Sequence, residues 1–122
     1  ALKENEDMPM YTLNKILKVY EKGAKILVYG LSYKKNVKDL RESPVVALCN
    51  LLKDKNVPFC VYDPLVGINK IEELGYEYSD IKKVDIFVVG TDHDSLSEDY
   101  HGAIGENTYV IDGRNYFKSK RA

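Results

Sequence analysis

The sequence has little of what marks several classes of protein. Its 122 residues include no tryptophan and only two methionines, and their formal net charge is −1. No apolar run approaches the roughly 20 residues that span a bilayer. A chain without a global excess of positive charge has no general affinity for nucleic acid or anionic membranes. We therefore expect no membrane or nucleic-acid partner, and any anion site must rest on a local cluster of charge.

Cysteine is scarce as well. Cys49 and Cys60 stand in the apolar stretches VVALCNLL and VPFCVYD, without the spacing of metal ligands. This pattern predicts two buried, reduced thiols in a cytoplasmic protein, rather than a disulfide or a nucleophile.

Several glycine-based and catalytic motifs are also missing. After Gly30 the spacing Gly-x-Gly-x-x-Gly fails, and neither a Walker A loop nor a nucleophile elbow occurs. Asp63 ends a predicted strand at the place of a ribose-binding acid. Without the glycines, we predict that Asp63 caps a helix or orders a loop.

The run GTDHD raises the possibility of a metal site. Asp92, His93 and Asp94 are adjacent, however, so they cannot easily converge on one ion, and His101 is isolated. We predict no metal site here, but a polar exit from a strand in which Asp or Thr caps the next element.

What is present is an alternation of strands and helices. With 44% hydrophobic and 30% charged residues, the chain has the composition of one globular domain. Strands are predicted at 25–30, 58–63, 84–91 and 108–115, helices at 8–22, 44–56 and 68–75, and residues 94–106 show no clear pattern. The alternation predicts an α/β fold with a doubly wound, mainly parallel, Rossmann-like sheet and helices on both faces.

The first helix is predicted to begin after Asp7, with Pro9 in its first turn and Gly23 beyond its end. Its apolar stripe is expected to comprise Met10, Leu13, Leu17 and Tyr20. Because this helix precedes the sheet, it is interpreted as a connector.

Four cations crowd the segment between the first strand and the helix at Ser43-Pro44. They are Lys34, Lys35, Lys38 and Arg41. Ligands of doubly wound folds bind outside the carboxyl ends of the strands, close to helix amino ends that attract anions. The loop 30–43 is therefore an anion-site candidate, and a solvated loop partly neutralised by Asp39 and Glu42 is the alternative.

Arg114 follows the last predicted strand in the turn DGRN, on the same edge of the sheet as Lys34. Two cationic loops on one edge make a better diphosphate site than either alone. A surface arginine on a tight turn explains the pattern equally well.

The motifs GLSYKKNVKDLRESP, VYDP, VVGTDHD and VIDGRN, in this order, resemble the UDP-binding domain of the UDP-glucose/GDP-mannose dehydrogenase family. The upstream NEDMPMYTLNKIL is similar to the end of that family's central connecting helix. The resemblance implies that residues 1–22 end this connecting helix and that residues 23–122 form the C-terminal UDP-binding α/β domain.

The resemblance also implies roles for individual residues. Tyr33, Lys34 and Arg114 are expected to contact the UDP-sugar, and Arg41 to reach NAD bound mainly by the N-terminal domain. The family's catalytic cysteine lies in its central domain, so no catalytic residue is expected in this chain. Ser32 stands where the family usually has alanine.

The implied partners are a UDP-sugar and the rest of a parent dehydrogenase, which is expected to be a homo-oligomer in polysaccharide-precursor biosynthesis. The TDHD loop resembles the branch of the family that oxidises UDP-N-acetyl-D-mannosamine more than the UDP-glucose branch. A stand-alone nucleotide-binding or receiver-like module is the remaining alternative, although the acid pair that a receiver needs after its first strand is absent.

Overall fold

The computed structural model describes residues 4–112, with side chains from residue 8 onward. In chain order the elements are α1 (Glu4–Val19), β1 (Ile26–Tyr29), α2 (Pro44–Asp54), β2 (Cys60–Tyr62), α3 (Ile68–Glu73), β3 (Glu77–Tyr78), β4 (Val84–Val89), α4 (Leu96–Ala103) and β5 (Ile104–Asp112). The strands form one sheet in the order β3-β2-β1-β4-β5, and every pairing is parallel. The predicted Rossmann-like α/β fold is confirmed. No helix within residues 4–112 has the length and apolarity to cross a bilayer.

The central strand β1 shows why the sheet needs helices on both faces. All four of its residues are buried, and successive side chains point to opposite faces. Ile26 and Val28 belong to one apolar cluster, whereas Leu27 and Tyr29 belong to the other. Helices α1, α2 and α3 cover the first face, and α4 covers the second.

Helix α2 begins as the sequence predicts. The Ser43 hydroxyl accepts a hydrogen bond from the Val45 N–H at 3.2 Å, and Pro44 occupies the first turn. The same hydroxyl donates to the Leu31 carbonyl at 2.5 Å. This cap therefore joins the amino end of α2 to the start of the loop that follows β1.

Helix α1 departs from its predicted boundaries and buried face. It begins at Glu4, before the expected Asp7 cap, and it ends at Val19. Met10 and Leu17 of the predicted stripe are exposed, whereas Met8, Leu13 and Ile16 are buried in the core against the first face of the sheet. The spacing of residues 8, 12, 16 and 19 also places side chains on one helical face, and packing on the sheet selects that face.

Two elements have no counterpart in the prediction. Strand β3 contains two residues, and α4 buries only Leu96 and Ala103, which are too few for a visible periodicity. Strand β5 begins at Ile104, four positions before the predicted 108. Its predicted continuation beyond Asp112 lies outside the described residues.

The two thiols differ in exposure. Both cysteines are free, and Cys49 is buried as predicted, but Cys60 is only partly buried. Cys60 lies at the start of β2, where it only packs against the apolar cluster of the second face. The prediction of a second fully buried thiol is therefore wrong.

Gly90, which follows β4, packs tightly against the residue after β1 and against α2, and this contact leads to a stability prediction. A Cβ atom built on Gly90 would lie 2.5 Å from the Gly30 carbonyl oxygen and 2.7 Å from Val45 Cγ1. We expect Gly90→Ala to lower the free energy of unfolding by about 1–3 kcal/mol, because the backbone must move to accept the methyl group. Urea denaturation followed by circular dichroism measures this change.

Gly67→Ala is the matched control, because a Cβ atom there meets nothing within 4 Å. Its effect should stay within about 0.5 kcal/mol. Equal stability of the two variants would contradict the tight packing around Gly90.

Candidate functional site

The site lies where the order of the strands reverses. Chain order runs from β1 outward to β3 on one side and from β4 to β5 on the other, so the switch point falls between β1 and β4. Gly30 and Gly90 end these two strands, and Asp63 follows β2 beside them. The loops at this carboxyl edge are where doubly wound folds bind ligands.

The loops after β1 and β4 touch at their bases. Gly30 has a φ of 86°, and a Cβ atom on it would lie 2.6 Å from the Thr91 side chain. The Thr91 hydroxyl donates to the Ser32 carbonyl at 2.5 Å. The chain itself occupies the space between the two loops at this level.

Asp63 connects three loops of this edge. It is 3% exposed, and its Oδ2 accepts the Leu31 N–H at 2.7 Å. Its Oδ1 accepts the N–H groups of Leu65 at 2.8 Å and Val66 at 3.0 Å. The predicted loop-ordering role of Asp63 is confirmed, while the residue before α3 is Gly67, which makes no side-chain cap.

His93 supplies the third loop's contact with Asp63. Its imidazole is 1% exposed, and its Nε2 lies 3.0 Å from Asp63 Oδ2. Burial acts to raise the pKa of Asp63, but the hydrogen bonds from His93, Leu31 and Leu65 outweigh it and lower that pKa. Asp63 is therefore held as a carboxylate.

The other side of His93 faces the cationic loop. Its Nδ1 accepts the Asn36 N–H at 2.7 Å, and the Asn36 side-chain oxygen accepts the Asp94 N–H at 3.0 Å. Asn36 adopts a φ of 64°, a left-handed conformation that asparagine tolerates. The middle of the loop after β1 is thus bound to the loop after β4.

The prediction for the GTDHD segment is wrong about helix capping. Among residues 4–112, no group of three His, Cys, Asp or Glu side chains is arranged to hold a metal ion. The predicted capping by Asp or Thr is wrong, because the residue before α4 is Ser95 and it makes no side-chain cap. Thr91 and His93 instead bond to the neighbouring loops, which offer buried acceptors and donors close by.

The cations of the loop face solvent. Lys34, Lys35, Lys38 and Arg41 are exposed, and Tyr33 is half-buried. Arg41 is paired with Asp39, with Nε at 3.1 Å from Oδ1 and NH2 at 2.9 Å from Oδ2. This pairing lowers the pKa of Asp39 to about 2, chiefly through the Arg41 hydrogen bonds. Among the four cations of the loop, the one that Asp39 neutralises is therefore Arg41.

The structure brings three of the four predicted site residues onto one loop. Tyr33, Lys34 and Arg41 follow β1, whereas Arg114 lies outside the described residues. Asp112, the last described residue, pairs with Val89, so β5 ends at the same edge as β4.

Sequence reasoning overlooked the part that Asn36 and His93 play. The only available indication was that His93 and Asp63 each follow a buried strand, on the same edge of a parallel sheet.

An all-parallel sheet with a cationic loop fixed beside its switch point defines a Rossmann-like α/β domain with a candidate anion site. Consistent with this class, the model for the UDP-binding domain of the UDP-glucose/GDP-mannose dehydrogenase family matches residues 27–119. The chain belongs to the UDP-glucose/GDP-mannose dehydrogenase family.

Individual relatives agree. The UDP-N-acetyl-D-mannosamine dehydrogenase of Methanococcus vannielii is 34% identical over 121 residues, covering 91% of this chain and 28% of the relative. The UDP-glucose 6-dehydrogenase of Rickettsia conorii is 31% identical over 109 residues, covering 80% of this chain and 25% of the relative. The structure of a UDP-glucose dehydrogenase from Pyrobaculum islandicum superimposes with a TM-score of 0.72 at 27% identity, over 90% of this chain and 27% of that one. The chain thus spans about a quarter of the length of these relatives.

The buried carboxylate of Asp63 leads to a prediction of how the free energy of unfolding depends on pH. We expect Asp63→Asn to lower the free energy of unfolding by about 3 kcal/mol at neutral pH, because the neutral amide loses several charge-assisted hydrogen bonds. The folded pKa of Asp63 lies below its usual 3.8, so its stabilisation is complete above that value and is lost as the pH falls through the folded pKa. The difference between wild type and variant should therefore shrink below about pH 4.

Urea titrations at pH 7, 5 and 3 measure this difference. Asp54→Asn is the control, since Asp54 is exposed in the last turn of α2 and should change stability by less than about 0.5 kcal/mol. A pH-independent difference for Asp63→Asn would contradict a lowered pKa.

Proposed function

We propose that this chain is the C-terminal UDP-binding domain of a cytoplasmic, homo-oligomeric, NAD-dependent UDP-sugar 6-dehydrogenase. The favoured substrate is UDP-N-acetyl-D-mannosamine, oxidised at C6 to the uronate that serves as a polysaccharide precursor. The TDHD loop and the relative from Methanococcus vannielii support this choice. UDP-glucose is the alternative, since relatives with that activity are similar over much of the chain.

The observation that carries the proposal is the fixed cationic loop at the carboxyl edge of β1. Asp39 engages Arg41 with both carboxylate oxygens, while Lys34, Lys35 and Lys38 are exposed on the loop that leads from β1 into α2. Exposed lysines can supply charge-assisted hydrogen bonds to a diphosphate. The hydrogen bonds of Asn36 hold the loop in one place, so less order is lost when an anion binds.

Within this proposal, Tyr33, Lys34 and Arg114 bind the nucleotide part of the UDP-sugar. Lys34 supplies a point charge to the diphosphate, and the guanidinium of Arg114 supplies a planar fork of donors. Arg41 reaches NAD held mainly by the rest of the parent enzyme. Its exchange of Asp39 for a cofactor phosphate costs little, because both side chains of that ion pair are exposed to solvent.

The chemistry of oxidation is assigned to the rest of the parent enzyme. Burial raises the pKa of the Cys49 thiol, and burial together with Glu77 raises that of Cys60. A thiol with a raised pKa is a poor nucleophile at neutral pH. Neither cysteine therefore suits the catalytic role, and the chain alone binds but does not turn over.

A titration of the chain with UDP, followed by amide NMR, tests the nucleotide site. We expect shifts at residues 30–41 and 112–115, and none on addition of AMP. Lys34→Ala and Arg114→Ala should each weaken UDP binding about tenfold or more, since each removes a charge-assisted hydrogen bond worth roughly 1.5–3 kcal/mol.

Lys55→Ala is the matched control, because Lys55 is an exposed lysine at the other end of α2. Its variant should bind UDP like the wild type. If the chain shows no shift at millimolar UDP, the same variants are assayed in the parent enzyme, where an unchanged KM for the UDP-sugar would refute the site.

The proposed role of Arg41 has a separate test in the parent enzyme. Arg41→Ala should raise the KM for NAD about tenfold, because a charge-assisted contact to the cofactor is lost. The KM for the UDP-sugar should stay unchanged. A rise in the KM for the UDP-sugar with no change in the KM for NAD would assign Arg41 to the substrate instead.

A further inference from the structure

The tautomer of His93 follows from its two hydrogen bonds. The Asn36 N–H can only donate, so His93 Nδ1, at 2.7 Å, must accept and carries no proton. Asp63 is a carboxylate that can only accept, so Nε2, at 3.0 Å, must carry the proton and donate. The buried imidazole is therefore neutral and protonated on Nε2.

Any state with a proton on Nδ1 breaks the contact to the loop. Two N–H groups would then face each other across 2.7 Å, at a nitrogen of a side chain that is 1% exposed. Asn36 itself is exposed, so water can reach its side of the contact, whereas the His93 side is buried. The Asn36 amide must then move away, so the conformation of the loop depends on the proton of His93.

The backbone of Lys34 lies between two anchors. On one side, the Ser32 hydroxyl donates to the Lys34 carbonyl at 2.8 Å, and Thr91 holds the Ser32 carbonyl. On the other side, two positions along, Asn36 is held by His93 in a left-handed conformation. The Asn36 side-chain oxygen also accepts the Asp94 N–H at 3.0 Å, so loss of the His93 bond would loosen the loop on the far side of Lys34 without detaching it.

We propose that His93 is a positioning residue, which fixes the loop carrying Lys34 by accepting a hydrogen bond from Asn36 while its other nitrogen is held by Asp63. The effect on UDP binding rests on the function proposed above, whereas the effect on the loop does not.

Two substitutions test the roles of the two imidazole nitrogens of His93 one at a time. In His93→Gln, the amide nitrogen stands at the place of Nε2, so donation to Asp63 is retained and the acceptor for Asn36 is lost. In His93→Asn, the side-chain oxygen stands at the place of Nδ1, so the acceptor for Asn36 is retained and the donor to Asp63 is lost. A side chain that merely fills space would respond alike to both changes.

The wild-type chain is measured first, by long-range ¹H–¹⁵N correlation of the imidazole, which reports the tautomer directly. We expect the Nε2–H form. For His93→Gln, we expect the Asn36 amide to exchange with solvent about tenfold faster, with little change in Tm. For His93→Asn, we expect that amide to remain protected, with Tm lowered by roughly 4 °C or more.

The UDP titration then links loop and ligand. His93→Gln should weaken UDP binding about tenfold relative to His93→Asn, because only the former loosens the loop. An Nδ1–H tautomer in the wild type, or equal exchange of the Asn36 amide in both variants, would overturn the positioning role. Should the wild-type chain fail to bind UDP, the nucleotide site is decided by the variants in the parent enzyme, while tautomer and amide exchange still decide the role of His93.

Discussion

The buried carboxylate of Asp63 is the constraint on which the ligand edge of this domain depends. A charge removed from water is costly unless hydrogen bonds replace its hydration, and here four donors do so. These donors come from the loops after β1, β2 and β4. Their convergence on one side chain gives three loops a common position, which none of them would hold through its own short-range contacts.

In this arrangement the bases of the loops are fixed, while the side chains that could bind a ligand stay accessible. The bases of the loops are buried and bonded through Ser32, Thr91 and His93, whereas the lysines further along the loop after β1 are exposed. Exposed lysines retain their hydration until a ligand arrives, and a fixed backbone limits the entropy lost on binding. The same packing joins the loops at their bases, and the charged side chains stand on the exposed parts of the loop after β1.

Prediction from the sequence succeeded where local patterns are strong. The apolar runs of β1 and β4 and the Ser43-Pro44 start of α2 are confirmed, because burial on both faces and capping each leave a signature in adjacent residues. It failed where an element is short or its pattern ambiguous. Helix α4 has two buried side chains, and α1 has two candidate faces whose choice depends on the sheet below.

The sequence by itself determined the order of the longer elements, the parallel α/β class, the location of the cationic loop and the motifs that place the chain in its family. Only the tertiary structure decided that His93 is buried and bonded to Asp63 and Asn36. Asp63 and His93 are 30 positions apart, and no local pattern relates them. They meet because the sheet places β2 and β4 on either side of β1, and burial then leaves each polar group no partner but the others at that edge.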